Sequence, residues 1–348
     1  MALGAGNVEN QRQITSLLVS LLSTGSDAAK ANATSSLWRM VQESPSTQQD
    51  IATAGPLPDL IGLLKHGNEG AKRFALWSLS LSINESNQKT LLEHEEGSVF
   101  DPLVASLTSS KAEARQQAAA ALSRLAYKNP KIALKIAQKE GIPPLIRMVK
   151  GGGGEGSGDA EDAVEARQHA AAALAELATL PKNSNEIVAH GGVDPLVSLL
   201  NGGDNLGKQY AAAAIARLAT GNKQTPAALA PALAISAISP LVKLLSGECG
   251  DAAQEEAAGA LYALADEVGN RVAITNAGGI GPLVTLLGSP NSMSQQHAKG
   301  VLVRLSIESA NRSLIIQKLV EMLGEEGSSA QEQVRGVLAI ARSWSAKL

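Results

Sequence analysis

The chain repeats itself, and the repeat leaves few folds open. Residues 278–306 read GGIGPLVTLLGSPNSMSQQHAKGVLVRLS: a glycine-marked bend, a short apolar helix, a polar break, then a longer helix patterned by alanine and leucine. Leu283 in that phrase has counterparts at Leu18, Leu60, Leu103, Leu145, Leu196, Leu241 and Leu319. In chain order the eight anchors lie 42, 43, 42, 51, 45, 42 and 36 residues apart. A second anchor in the longer helix keeps the same register at Leu37, Leu79, Leu122, Leu174, Ile215, Leu261, Leu302 and Leu338. Its offset from the first is 19 residues in six repeats and 20 in one; it stretches to 29 only in the fourth, which holds residues 151–158. A unit of this size cannot bury its own apolar face, so the units must stack and share one core.

Composition says what fills that core. Of 348 residues, 44% are hydrophobic but only 2% aromatic, which leaves alanine, leucine, isoleucine and valine to pack closely spaced helices. The first unit opens directly with the short helix ITSLLVSLL, as an N-terminal cap would, and residues 1–6 before it read as disordered. From the second unit a further helix precedes the bend, over 47–54, 87–94, 131–139, 183–190 and 270–277. Gly55, Gly97, Gly141, Gly191 and Gly278 stop these helices, where a left-handed residue turns the chain sharply. Pro58, Pro102, Pro143, Pro195 and Pro282 follow, tolerated because the first helical turn has no partner for the missing N–H. The sixth unit lacks this glycine, and Pro226 and Pro231 are expected to interrupt its first helix. The eighth unit is short and reads as a C-terminal cap.

Three helices per unit, a period near 42, a glycine corner, and GGVDPLVSLL followed by QYAAAAIARLA resemble the armadillo repeat. Ankyrin and tetratricopeptide units are shorter, at 33 and 34 residues. HEAT repeats are the runner-up, disfavoured by the recurring glycine corner. The resemblance implies an all-α, right-handed solenoid of about eight armadillo repeats, a single domain over 7–348 with a Gly-rich acidic insertion at 151–161. Members such as importin alpha and beta-catenin are non-enzymatic scaffolds that bind protein or peptide partners in a concave groove lined by the third helices.

Which residues line that groove follows from helix geometry. Residues three and four away from the second anchor share its core side, such as Ala118, Ala119, Leu125 and Ala126, whereas those five and two before it and two after it face away. In importin alpha and beta-catenin the outward face carries Trp two before and Asn two after, which grip a peptide main chain. Here Trp stands there once, as Trp77, and Asn never; the residues two after are Arg39, Leu81, Arg124, Glu176, Arg217, Ala263, Arg304 and Ile340. Arginine forks match carboxylates and phosphates, so Arg39, Arg124, Arg217 and Arg304 point to an extended acidic or phosphorylated partner segment. Small residues two before the anchor, Ala120, Ala172, Ala213, Gly259 and Gly300, offer room for a bound backbone, and Phe74, His169, Tyr210 and His297 add stacking or hydrogen bonds. Two alternatives stay open for the arginines: they form a solvated face, or they pair internally with a carboxylate such as Glu176. A transport adaptor reading a targeting peptide is the alternative function; its Trp and Asn rows are missing, and arginine repels a basic peptide.

The remaining signals exclude more than they assign. A formal charge of −3 gives no global attraction to nucleic acid, and the single cysteine, Cys249, forms no intrachain disulfide. His66, His94, His169, His190 and His297 show no metal-ligand spacing, and no cofactor motif is present. The run at 151–158 satisfies GxGxxG trivially but follows no strand, so it reads as a flexible insertion, not a phosphate cradle. No catalytic constellation stands out, no signal peptide or membrane-spanning stretch is found, and a non-enzymatic cytoplasmic or nuclear protein is expected. The terminal Ala346-Lys347-Leu348 leaves a peroxisomal address as the other location.

Overall fold

The computed structural model describes residues 2–43, 57–67, 69–81, 85–93, 99–151, 160–221, 229–247, 249–323 and 334–339. Within them every regular element is helical. The chain forms two compact units, Met1–Leu177 and Ala178–Leu348. The expected insertion lies largely outside the described residues, as do Pro226 and the chain's last nine residues.

The first unit holds α1 (Ala2–Thr24), α2 (Asp27–Glu43), α3 (Leu57–His66), α4 (Glu69–Leu81), α5 (Glu85–Glu93), α6 (Phe100–Ser106), α7 (Ala112–Ala126), α8 (Pro130–Gln138), α9 (Ile142–Val149) and α10 (Ala160–Leu177). Its long helices stack in series, α2 on α4, α4 on α7 and α7 on α10. The second unit holds α11 (Pro181–Ala189), α12 (Val193–Gly202), α13 (Asn205–Gly221), α14 (Leu229–Leu244), α15 (Asp251–Leu264), α16 (Val268–Asn276), α17 (Ile280–Leu286), α18 (Ser292–Leu305) and α19 (Ser309–Leu323), followed by helical residues 334–339. There α13 stacks on α15 and α15 on α18. This is an all-α solenoid of armadillo type.

The leucine register is the core. All eight second anchors are buried, as are the first anchors from Leu60 to Leu319; only Leu18 is half-buried. Between them Ala118 and Ala119 of α7, Ala170 of α10, Ala211 of α13 and Ala257 of α15 are fully enclosed. Each lets a neighbouring helix come close enough to exclude water, the condition for dense packing without large side chains. The helix ends this packing buries need polar partners, and amide or guanidinium groups from the next repeat supply them. Asn270 Nδ2 donates to the Leu264 carbonyl at 2.9 Å and Asn311 Nδ2 to that of Leu305 at 3.2 Å. Arg271 Nη1 donates to the carbonyls of Ala265 and Asp266 at 3.2 and 3.1 Å, and the same guanidinium pairs with Glu308 at 3.2 Å.

The corner between first and second helix closes with two hydrogen bonds. At α11–α12, Gly191 N–H donates to Val188 and Gly192 N–H to Ile187, both at 2.9 Å; at α16–α17, Gly278 and Gly279 do the same to Thr275 and Ile274. This is the Schellman pattern, with Gly191 and Gly278 left-handed at φ 70° and 78°. The fourth-repeat helix α8 departs from expectation: the left-handed residue is Glu140, at φ 60°, and Gly141 has an ordinary φ of −70°. Gly141 is needed for space instead, because a Cβ there would lie 2.7 Å from Ile136 Cγ2 and 2.9 Å from its carbonyl. The same holds at Gly279 against Ile274.

Two other expectations change. Residues 1–6 read as disordered in the sequence, but α1 begins at Ala2: Ala2, Leu3 and Ala5 favour a helix that simply extends the apolar one. Pro231 does not interrupt the sixth unit, since it occupies the first turn of α14, where a missing N–H is harmless. With no glycine corner before it, α14 runs on through Pro240, the residue aligned with Pro195 and Pro282 in the repeats that do turn. In the same way α19 is one unbroken helix.

Candidate functional site

Each third helix commits one side to the core, and this fixes what the other side presents. In α7 the buried run from Ala118 to Ser123 ends at Arg124, whose side chain is half-buried. Arg39 is exposed on α2, while Arg217 on α13 and Arg304 on α18 are half-buried. Glu176 on α10 is half-buried, Ala263 on α15 is buried, and the side chains of Leu81 and Ile340 lie outside the described residues. The first unit thus carries Arg39 and Arg124 on α2 and α7, the helices either side of α4. The second carries Arg217 and Arg304 on α13 and α18, either side of α15.

Arg304 is the best defined of the four. Its Nε donates to Asp266 Oδ1 at 2.7 Å, its Nη1 to the Gly300 carbonyl at 3.2 Å, and its guanidinium carbon lies 3.8 Å above the Tyr262 ring. Partial burial works against the charge, but Asp266 and Tyr262 outweigh it and raise the Arg304 pKa further. Tyr262 in turn faces His297, ring centroids 5.9 Å apart and tilted by 32°. The small residues expected as an open floor make room for these rings. A Cβ on Gly300 would sit 2.3 Å from Tyr262 Cε2, and one on Gly259 would sit 3.2 Å from His297 Cε1. His297 Nδ1 is buried and has no hydrogen-bond partner among the described residues.

In the first unit the corresponding pair is Arg124 and His169. Burial, and secondarily the Arg124 charge, lowers the His169 pKa to about 4, so its imidazole is neutral near pH 7. Trp77 on α4 is half-buried, with its ring 6.0 Å from that of Phe74. Phe74, expected on the outward face, is 1% exposed and belongs to the core. Tyr210 on α13 is half-buried, immediately before the buried stretch 211–215 that leads to Arg217.

The internal partners of Arg304 escaped the sequence because Asp266 and Tyr262 lie in the preceding repeat and off the three outward positions considered. The glycines were the signal available. Glycine in mid-helix costs about 1 kcal/mol relative to alanine, so Gly259 and Gly300 imply a neighbour that leaves no room for Cβ. Among the described residues no group of three or more His, Cys, Asp and Glu could hold a metal ion, and no helix is long and apolar enough to cross a membrane.

Residues 181–220 match the armadillo/beta-catenin-like repeat family. An engineered protein of known structure superposes with a TM-score of 0.75 at 26% identity, covering 94% of this chain and 78% of its own. A designed armadillo repeat protein covers 72% of this chain and all of its own length, with TM-score 0.61 and 26% identity. One of a set of computationally designed armadillo repeat proteins for modular peptide recognition has TM-score 0.59 and 25% identity over 72% of this chain and 99% of its own. Comparison with curated protein sequences gives no match. The fold is therefore armadillo-like, related to engineered armadillo repeat scaffolds.

Proposed function

We propose that this chain is a protein- and peptide-binding scaffold that holds extended acidic or phosphorylated partner segments on its third helices, with Arg124 as the main contact and His169 beside it in the first unit, and Arg217 with Tyr210 in the second. The observation that carries the charge of the partner is Arg304. At this register an arginine already takes a carboxylate at 2.7 Å and stacks on an aromatic ring. Likeness to scaffolds designed for peptide recognition supports the peptide-binding part. The neutral His169 adds a hydrogen-bonding group beside Arg124 without competing for the anion. Arg39 widens the row in the first unit, and Trp77 supplies an apolar surface on the intervening helix.

A charge-assisted hydrogen bond contributes about 1.5–3 kcal/mol, less where water screens it. Replacing Arg124 and Arg217 together by Glu therefore weakens binding at least about tenfold. The assay is fluorescence anisotropy against a panel of acidic, phosphorylated, neutral and basic peptides, with the melting temperature as a folding control. Preference for basic peptides, or unchanged affinity in a folded double variant, refutes the proposal. A basic preference would favour the transport-adaptor alternative.

A further inference from the structure

We infer that the outer face of α8 and α9 is a second, separate binding surface, one that docks on anionic phospholipid headgroups without inserting into the bilayer. The charge is unusually concentrated. Residues 111–150 hold nine of the chain's 30 Lys and Arg but only two of its 33 Asp and Glu, a local charge of +7 in a chain of formal charge −3. Some of these cations have structural roles: Arg115 is buried and donates to the Ser109 carbonyl at 2.8 Å, and Lys139 pairs with Asp101 at 2.7 Å. Lys128, Lys131, Lys135, Arg147 and Lys150 do not. None of the five is in an ion pair among the described residues, four are exposed, and Lys135 is half-buried.

They stand on the outer sides of two consecutive helices. Ile132, Ala133, Ile136 and Ala137 turn α8 toward the core, which leaves Lys131 and Lys135, one turn apart, on its outer side with Lys128 just ahead of them. Ile146 and Met148 are buried on either side of exposed Arg147 in α9, and Lys150 follows that helix. Glu140 at the corner is the one acid between them.

The repeat supplies its own control. At the aligned positions the next unit has Thr179, Lys182, Glu186, Ser198 and Asn201, and the seventh has Asp266, Gly269, Ala273, Thr285 and Gly288. The fold therefore does not require cations there. Their formal charge falls from +5 in the α8–α9 unit to 0 and −1 in these two.

Four of the five are lysines. Lysine is a compact, hydrated point charge suited to diffuse attraction, whereas specific phosphate or carboxylate recognition favours the planar fork of arginine. Clusters of four to eight such charges are the pattern that binds anionic leaflets. Tyr127, 48% exposed, stands beside Lys128 and suits the headgroup level, where amphipathic rings collect. The Lys128 ammonium lies over its ring at 5.0 Å, which takes one face away from base stacking and argues against single-stranded nucleic acid.

The test is flotation of the full chain with vesicles of phosphatidylcholine containing about 30% phosphatidylserine, against vesicles of phosphatidylcholine alone. Binding is expected only to the anionic vesicles and should be lost at high salt, as the screening length shrinks from about 8 Å toward 3 Å. Each lysine near such a surface multiplies partitioning about fivefold, so Lys131→Glu with Lys135→Glu should reduce it at least tenfold. Arg147→Glu with Lys150→Glu on α9 should do the same, which keeps the test valid if the α8 variant misfolds. Both should leave peptide binding by the arginine row intact. Absence of flotation, or two folded double variants that float like the parent, overturns the inference. Tight binding of duplex DNA with no flotation also overturns it and assigns the surface to nucleic acid.

Discussion

Replacing Arg271 by Leu tests whether the polar staple between the last repeats works by charge or by satisfying a buried carbonyl. Arg271 is 8% exposed, so its guanidinium is nearly dehydrated. It serves three acceptors that fare differently on its removal. The Ala265 carbonyl belongs to a fully buried residue and loses this donor without gaining water, costing about 1–3 kcal/mol. Asp266 is exposed, so its carbonyl rehydrates at little cost. The Glu308 side chain is 34% exposed, and losing its screened ion pair costs only about 0.2–1 kcal/mol. With the lost packing of the aliphatic stem, Arg271→Leu should destabilise the region by about 2–4 kcal/mol, and Glu308→Gln by less than about 1 kcal/mol. A repeat stack opens in parts, so global melting is the wrong readout; hydrogen exchange of α16 and α19 amides is the right one. Exchange there should speed up about 30- to 1,000-fold in Arg271→Leu and under tenfold in Glu308→Gln. Equal acceleration in the two variants would show that the ion pair dominates and that the carbonyl argument is wrong.

Because the folded His169 pKa lies near 4, below the ordinary 6.5, the unfolded chain binds the extra proton between those values. Stability is full above about pH 6.5 and falls as pH drops toward 4, by about 1–3 kcal/mol; His169→Gln should flatten that slope in urea titrations run across the window. Gly62 in α3 has open space, with nothing within 4 Å, where a Cβ would stand, so Gly62→Ala should gain about 0.5–1 kcal/mol from helix propensity and raise the melting temperature. Gly300→Ala should not, because its methyl expels the Tyr262 ring from under Arg304 and forfeits a cation–π contact of about 0.5–2 kcal/mol.

What the sequence disclosed was whatever repeats. Leucine at two fixed offsets is a demand of the core, and burial of Leu60, Leu122 or Leu283 follows from period alone. The outward arginines were legible in the same way, as residues on the side opposite those leucines. What stayed hidden depends on neighbours that do not share a register. Asp266 reaches Arg304 across 38 residues, and no spacing rule within one unit predicts it. Glu140 in a left-handed conformation was hidden because glycine is the usual signal for that turn, and Gly141 stands right beside it. Pro231 and Pro240 look alike as helix breakers, yet one sits in a first turn and the other within α14, a difference set by where the helix starts.

The corner at Glu140-Gly141 separates two constraints that a pair of glycines would conceal. Copies of a duplicated unit drift apart wherever the backbone tolerates a side chain. Here the first corner residue differs from its counterparts Gly191 and Gly278 and the second does not, since a Cβ on Gly141 would collide with the helix it follows. A left-handed non-glycine residue strains the backbone by roughly 1–2 kcal/mol but leaves the hairpin closed. The first corner position is therefore an address at which each unit can carry its own side chain, outside the core, with the stack unchanged.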